Sequence, residues 1–315
     1  MKNKILKSIL VVLFLFLGSC VRAAGYDFFV DARSAETAED GGEQFPWKTI
    51  AAATNYIENN GLKGKTVFVK NGTYAESVAL SGNTKLIGES ESGTVVDADG
   101  KNNAVNFFST ASEIKNLTLK NAEATNVIVD KKSKATISHC TIEKAGKYGI
   151  EVKESTATEK YKFTVENSTV SDSGSQGVYI LRRKISLTNN EIFDNEEEGI
   201  DLHQNVKGKV SGNHTHGNHE SGVESILSGA SLTLRGNKVE NNHTQGITVQ
   251  IYSASKGGKV KISGNTIEGN SDYGIRFANY THKLGPQKFR KFAKKYVKES
   301  KNSFKDNEKG KLLYE

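Results

Sequence analysis

Six glycines punctuate the second half of the chain: Gly149, Gly177, Gly199, Gly222, Gly246 and Gly274, at steps of 28, 22, 23, 24 and 28 residues. Each has the same setting. A short alternating run leads to an Asn-like position and a polar turn; then come the Gly and a second alternating run. The copies read ATISHCTIEKAGKYGIEV, FTVENSTVSDSGSQGVYI, ISLTNNEIFDNEEEGIDL, KVSGNHTHGNHESGVESI, LTLRGNKVENNHTQGITV and VKISGNTIEGNSDYGIRF. A repeat of this length holds two or three short strands. No copy can bury its apolar side alone, so the copies must stack as turns of a β-solenoid.

Aligned columns assign the side chains. Cys140, Ser168, Asn190, Asn213, Asn237 and Asn265 fill one column, and Ala145, Ser173, Asn195, Asn218, Asn242 and Asn270 fill another five residues on. Stacked Asn side chains can bond along the axis and satisfy turn backbone, which is a structural role. After each Gly the apolar columns are Ile150, Val178, Ile200, Val223, Ile247, Ile275 and then Val152, Ile180, Leu202, Ser225, Val249, Phe277. Alternation with period two points them inward. This pattern resembles the right-handed parallel β-helix of the pectate-lyase-like superfamily over roughly residues 26–315. The resemblance implies an all-β, single-stranded right-handed parallel β-helix, and it implies no particular activity.

The ends fit such a solenoid. FPWKTIAAATNYIENNG carries Trp47, Ile50, Ala51, Thr54 and Ile57 at helical spacing and stops at Gly61, as a helix capping the N-terminal end would. KTVFVKNGTYAESVAL and TKLIGESESGTVVDA follow as the first turns. That run resembles the start of pectinesterases, which share a GxYxE-type segment, but the acidic motifs of the form QDT and DFIFG are absent, which excludes that class. Near the C-terminus the repeat breaks at Tyr280. Within an insertion over 281–300, Phe289, Phe292, Ala293, Tyr296 and Val297 share one face of an amphipathic helix opened by Pro286. Asn302 and Asn307 then restore the Asn spacing of one more turn, so this C-terminal helix is expected on the solenoid flank.

Charge narrows the partners. The 315-residue chain is formally +7, but residues 1–25 contribute +4 and residues 283–315 another +7, leaving the stretch 26–282 at −4. A mildly acidic body lacks the basic face that nucleic-acid binding needs. In residues 1–20, three Lys precede the apolar run Ile9–Leu17, the layout of an export signal too short to span a bilayer. Two processing sites stay open. Leu17-Gly18-Ser19-Cys20 resembles a bacterial lipobox with Cys20 as the lipidated residue, and Ala23-Ala24-Gly25 fits ordinary cleavage, with residues 1–25 as the signal peptide. Either way only Cys140 remains in the body, so no intrachain disulfide is available. The expected setting is the cell envelope or the secreted fraction, as a monomer, with membrane contact only through the lipid.

Chemistry is expected on the outward columns after the Gly positions. These are Glu151, Tyr179, Asp201, Glu224, Thr248, Arg276 and Lys153, Leu181, His203, Ile226, Gln250, Ala278. Asp201 and His203 face the same side of one strand, Tyr179 and Glu224 lie one turn away on either side at about 4.8 Å, and Arg182 and Arg183 end the strand after Leu181. An acid, an imidazole, a phenol and cations on one surface suit proton abstraction beside a uronate carboxylate. His203 would take the proton, a phenol would give one, and cations would neutralise the sugar acid. The string Gly199-Ile200-Asp201-Leu202-His203 is similar to the YG-F/I-DPH-D/E signature of mannuronan C5-epimerases, with Glu198, Leu202 and Gln204 departing from it. By that resemblance Asp201 and His203 would be catalytic, and Tyr179 could stand in for the missing phenol. Lys153, Arg182, Arg183, Glu224, Gln250 and Arg276 are the expected substrate contacts.

Other groups are weighed against plain surface polarity. Asp194, Glu196, Glu197 and Glu198 form an acidic turn that could hold Ca2+ and bridge it to a polyuronate. His214 and His216 flank inward Thr215 and point out together, but the remaining His lie on other turns, so no metal ligand set is assigned. Three functions follow: a lyase or C5-epimerase on an acidic polysaccharide, a non-catalytic glycan-binding or structural envelope protein, and a metal-related accessory protein. The first predicts a concave groove with a cation in reach, the second a flat face with stacked aromatics, and the third at least three converging donors.

Overall fold

The computed structural model describes residues 25–108, 111–155, 160–252, 258–281 and 284–315. Cys20 and the export segment lie outside the described residues. The chain winds as a right-handed parallel β-helix with three short strands per turn. One face is a continuous sheet of ten parallel strands, from Val78–Leu80 to Gly310–Tyr314. The other sheet, of nineteen strands, bends within each turn into two panels; one turn reads Lys184–Thr188, Glu191–Phe193, Ile200–Leu202.

The register is the one the repeat dictates. Ile150, Val178, Ile200, Val223, Ile247 and Ile275 pair strand to strand and are buried. Val152, Ile180, Leu202, Ser225, Val249 and Phe277 form the second inward column in the same register.

Bends between strands are set by two Asn ladders. In the first, the Nδ2 of Asn190, Asn213, Asn237 and Asn265 each donates to the Oδ1 of the next member at 2.9, 3.1, 2.9 and 2.9 Å, ending on Asn302. In the second, Asn195, Asn218, Asn242 and Asn270 do the same at 2.8, 2.9, 3.0 and 2.7 Å, ending on Asn307. Each Oδ1 also accepts a backbone N–H from the turn below, as from Asn190 to Asn213 at 3.0 Å. The residue before each ladder position turns the chain through a left-handed φ: Asn189 and Asp194 at +55° and +52°, Gly212 and Gly217 at +67° and +63°. Asn, Asp and Gly tolerate that conformation, which is why they recur there. Asn213→Ala would strip the partner from the Leu187 carbonyl and from two donors of Asn190, all buried. The expected loss is about 2–4 kcal/mol. A urea midpoint equal to that of the wild type would mean that water enters the ladder.

Both ends carry a helix. Helix α1 (Ile50–Asn59) buries Ile50, Ala53, Thr54 and Ile57. Thr49 Oγ1 accepts from Ala52 N at 3.1 Å, and the Glu76 carboxylate accepts from the N–H groups of Ile50 and Ala51 at 2.8 and 2.7 Å. An anion at a helix N-terminus is favourable. Tyr74 donates to the Lys70 carbonyl at 2.8 Å. The Glu76 carboxylate therefore ties the start of the capping helix to the first turn. Helix α2 (Pro286–Tyr296) is inserted between the last two turns, with Pro at its start and Phe289 and Ala293 fully buried. Val297 already belongs to the next strand. The Arg290 guanidinium lies over the Tyr314 ring at 5.2 Å, and Tyr314 stacks on inward Phe277 at 4.4 Å. The helix thus meets the end of the core rather than only a flank. Cys140 is free and buried in the first ladder column, and burial pushes its thiol up to about 12.

Candidate functional site

The outward residues of the ten-strand sheet come together around Asp201. Glu151, Tyr179, Asp201, Glu224, Thr248 and Arg276 lie in one unbroken register. Asp201 Oδ2 lies 3.0 Å from His203 Nε2, and Asp201 is only 3% exposed. A carboxylate can only accept here, so Nε2 carries the hydrogen in the neutral ring and Nδ1 keeps the free lone pair. The Tyr179 ring meets His203 edge-on at 4.9 Å and stacks flat on Tyr148 at 4.9 Å with 10° between planes. Glu224 accepts from Gln250 Nε2 at 2.5 Å, and Gln250 Oε1 accepts from the Tyr252 hydroxyl at 2.8 Å. Tyr252 in turn stacks on Tyr280 at 5.0 Å.

The cluster also contains Glu198, 6% exposed, whose Oε2 accepts from Gln176 Nε2 at 3.1 Å. Burial, then a shared hydrogen bond with Glu220 and the charges of Glu224 and Asp201, hold its carboxyl well above the carboxylate range. Burial and the Asp201 charge push Glu224 up to about 7. His203 is raised by its bond to Asp201, against the opposing effect of burial. Burial, aided by Asp201, pushes Tyr179 up to about 12. Near neutral pH the site therefore holds a protonated Glu198, a Glu224 near its midpoint, a protonated phenol and an imidazole tied to a carboxylate. Asp201 Oδ1 is buried with no hydrogen-bond partner among the described residues.

These shifts make stability pH-dependent. A carboxyl raised on folding binds its proton more tightly in the native state. Its contribution is full below the unfolded value of 4.5 and is lost as pH rises through about 7 for Glu224 and higher still for Glu198. The melting temperature is expected to fall between about pH 5 and pH 9, and Glu198→Gln is expected to flatten that fall. A wild-type curve rising over the same window would contradict a neutral Glu198.

The expected contacts divide. Asp201, His203, Tyr179, Glu224 and Gln250 are brought together. Lys153 is exposed two turns from His203, roughly 10 Å along the axis. Arg182 adopts a φ of +36° and pairs with Glu154 at 3.0 Å. Arg276 lies three turns from Asp201 and pairs with Glu315 at 2.9 Å. Arg183 is not a substrate contact. It is fully buried and donates to the backbone carbonyls of Asp130, Lys131, Ser133, Lys153 and Tyr161. Ile226 and Ala278, expected outward, are also covered. The acidic turn does not form a calcium cage among the described residues: Glu196 pairs with His219 at 2.9 Å, while Glu198 turns into the cluster. Glu198, Gln176 and Tyr148 were missed as site residues. They share the position just before the recurrent Gly, a column that reads Tyr148, Gln176, Glu198, Ser221, Gln245 and Tyr273.

Comparison with known proteins gives the same fold. Residues 103–255 match the model of the right handed beta helix region. Among curated proteins none matches the chain. Among solved structures, the alginate lyase from Paenibacillus sp. str. FPU-7 superposes with a TM-score of 0.58 at 13% identity, covering 84% of this chain and 96% of that one. The Dettilon tailspike protein gives 0.52 at 14% identity, covering 79% and 52%. The A-module of the Azotobacter vinelandii mannuronan C-5 epimerase AlgE6 gives 0.50 at 15% identity, covering 84% and 93%. At such identities the likeness is one of backbone: the chain is a right-handed parallel β-helix protein.

Proposed function

We propose that the protein acts on a uronate-containing polysaccharide by abstracting the C5 proton, as a lyase or a C5-epimerase. The observation that carries this reading is the Asp201–His203 pair set between the Tyr179 phenol and the neutral Glu198 on one sheet face. His203 Nδ1 takes the proton from C5, and Asp201 holds the ring and stabilises the imidazolium. The protonated carboxyl of Glu198 donates to the substrate carboxylate, where negative charge builds as the C5–H bond breaks. Tyr179 supplies a proton. Delivered to the leaving glycosidic oxygen it completes β-elimination; delivered to C5 from the other face it completes inversion. The likeness in fold to an alginate lyase and to a mannuronan C-5 epimerase supports the substrate class. The envelope setting, with Cys20 as a lipid anchor, belongs to the same proposal.

A second reading rests on a separate observation. Tyr148 with Tyr179, and Tyr252 with Tyr280, form stacked pairs on the same face, aromatic columns against which a sugar can pack. That surface serves a glycan-binding protein without turnover equally well. The two are separated by incubating the mature protein with alginate, pectate and other uronate polymers, with and without Ca2+. Ultraviolet absorbance reports the unsaturated product of elimination, and proton NMR reports inversion at C5. Either signal supports catalysis. Binding without either signal overturns it in favour of the glycan-binding reading.

A further inference from the structure

A second cluster sits on a different panel of the solenoid. The strands Glu191–Phe193 and His214–His216 pair in register, placing Glu191 across from His214 and Phe193 across from His216. Ile192 and Thr215 between them are buried in the core, so the other four side chains project outward. The donor atoms of Glu191, His214 and His216 all lie within 4.8 Å of one another. Glu191 Oε1 is 3.3 Å from His216 Nε2 and 3.8 Å from His214 Nδ1. Ligands held at about 2.0–2.1 Å around a tetrahedral ion lie roughly 3.3 Å from one another. The spacing therefore needs little adjustment to close on an ion.

The neighbours set the rings for that purpose. Glu240 Oε1 lies 2.7 Å from His214 Nε2. The hydrogen must sit on Nε2, so the neutral His214 ring presents its lone pair on Nδ1, the nitrogen facing Glu191. A carboxylate on the far nitrogen of a ligating imidazole is the usual outer support of a metal site. Glu240 is itself held by Lys238 Nζ at 2.5 Å. Phe193 stacks on the His216 ring at 4.9 Å with 3° between planes, fixing its orientation.

We propose that Glu191, His214 and His216 bind a divalent transition-metal ion of the zinc class, with Glu240 as a positioning residue. Two imidazoles and one carboxylate favour zinc or copper over calcium or magnesium. Three protein ligands leave one coordination position open toward solvent.

The test uses the full, untagged chain stripped with a chelator and titrated with Zn2+ by calorimetry, then separately with Ca2+. The expected result is one Zn2+ per chain and no heat from Ca2+. His216→Ala and the near-isosteric Glu191→Gln are each expected to weaken binding at least tenfold, with circular dichroism unchanged. Glu240→Gln should weaken it about 10–100-fold without removing a ligand. Co2+ in place of Zn2+ should give the visible absorption of a tetrahedral ion, lost in His216→Ala and retained in His203→Ala and His219→Ala. Absence of stoichiometric Zn2+ binding, or equal affinity in wild type and His216→Ala, would overturn the proposal and leave a cross-strand ion-pair cluster.

Discussion

Arg183→Met is expected to lower stability by about 3–5 kcal/mol, among the largest effects of any single substitution in the chain. The side chain has no exposed surface, and its guanidinium serves five backbone carbonyls at distances between 2.6 and 3.5 Å. Those carbonyls belong to Asp130, Lys131, Ser133, Lys153 and Tyr161, in segments that join the strands of adjacent turns; the Asp130 carbonyl also accepts from Ser133 N at 3.0 Å. Burial pushes the guanidinium down to about 10, still charged at neutral pH. Its desolvation offsets part of what the bonds contribute, so the net loss is well below five bonds' worth. Methionine fills the volume and removes the desolvation cost but takes the guanidinium from all five carbonyls, of which Asp130 keeps its bond from Ser133 N. Arg183→Lys keeps the charge with a single donor head and should recover only part. Urea unfolding reads the loss, and hydrogen exchange around residues 130–134 localises it. A variant that unfolds like the wild type but binds glycan less well would return Arg183 to the surface.

Arg183 also shows where a sequence reading of columns stops. Lys184 pairs with Lys207 and Lys207 with Ser231, so Arg183 occupies the position of Val206 and Ala230, both buried. The inward column was present in the repeat. An Arg in that column reads as a surface residue, because an Arg is seldom fully buried. The left-handed φ of +36° at Arg182 reverses the side on which the next residue points. The ladders and the two apolar columns were legible for the opposite reason. Asn at fixed spacing and β-branched residues at period two have one cheap arrangement, and every turn repeats it.

The site was legible in its middle and not at its edges. Alternation alone places Tyr179, Asp201 and Glu224 on one line, and the structure keeps them there. In the sequence Glu198 reads as part of an acidic turn, because Asp194, Glu196 and Glu197 precede it. In space the chain turns at Asn195, and Glu198 enters the strand face while Glu196 goes to His219. Cations expected near the imidazole pair with Glu154 and Glu315 instead. On the proposed reaction a protonated Glu198 takes the role expected of a cation, and its protonation follows from burial and crowding of like charges, neither of which a column alignment reports.

On the proposed reaction, His203→Ala is expected to cut turnover about 10²–10⁴-fold while leaving polymer binding near the wild-type level. The imidazole is the base in this scheme, and its bond to Asp201 at 3.0 Å fixes which nitrogen faces the substrate. Asp201→Asn tests that point separately. An amide can donate to Nε2 and so favour the tautomer with hydrogen on Nδ1, removing the base while the ring stays in place. Its loss should approach that of His203→Ala, whereas a purely supportive Asp201 would cost much less. The pH profile gives a third reading. Rate should rise as the imidazolium of His203 deprotonates, above the ordinary histidine value because Asp201 raises it, and fall again as Glu198 loses its proton. Glu198→Gln keeps a hydrogen-bond donor but cannot ionise, so its profile should lose the alkaline limb and retain the acidic one. Full turnover in His203→Ala would remove proton abstraction from this face, leaving the stacked tyrosines as the reason a glycan would rest there.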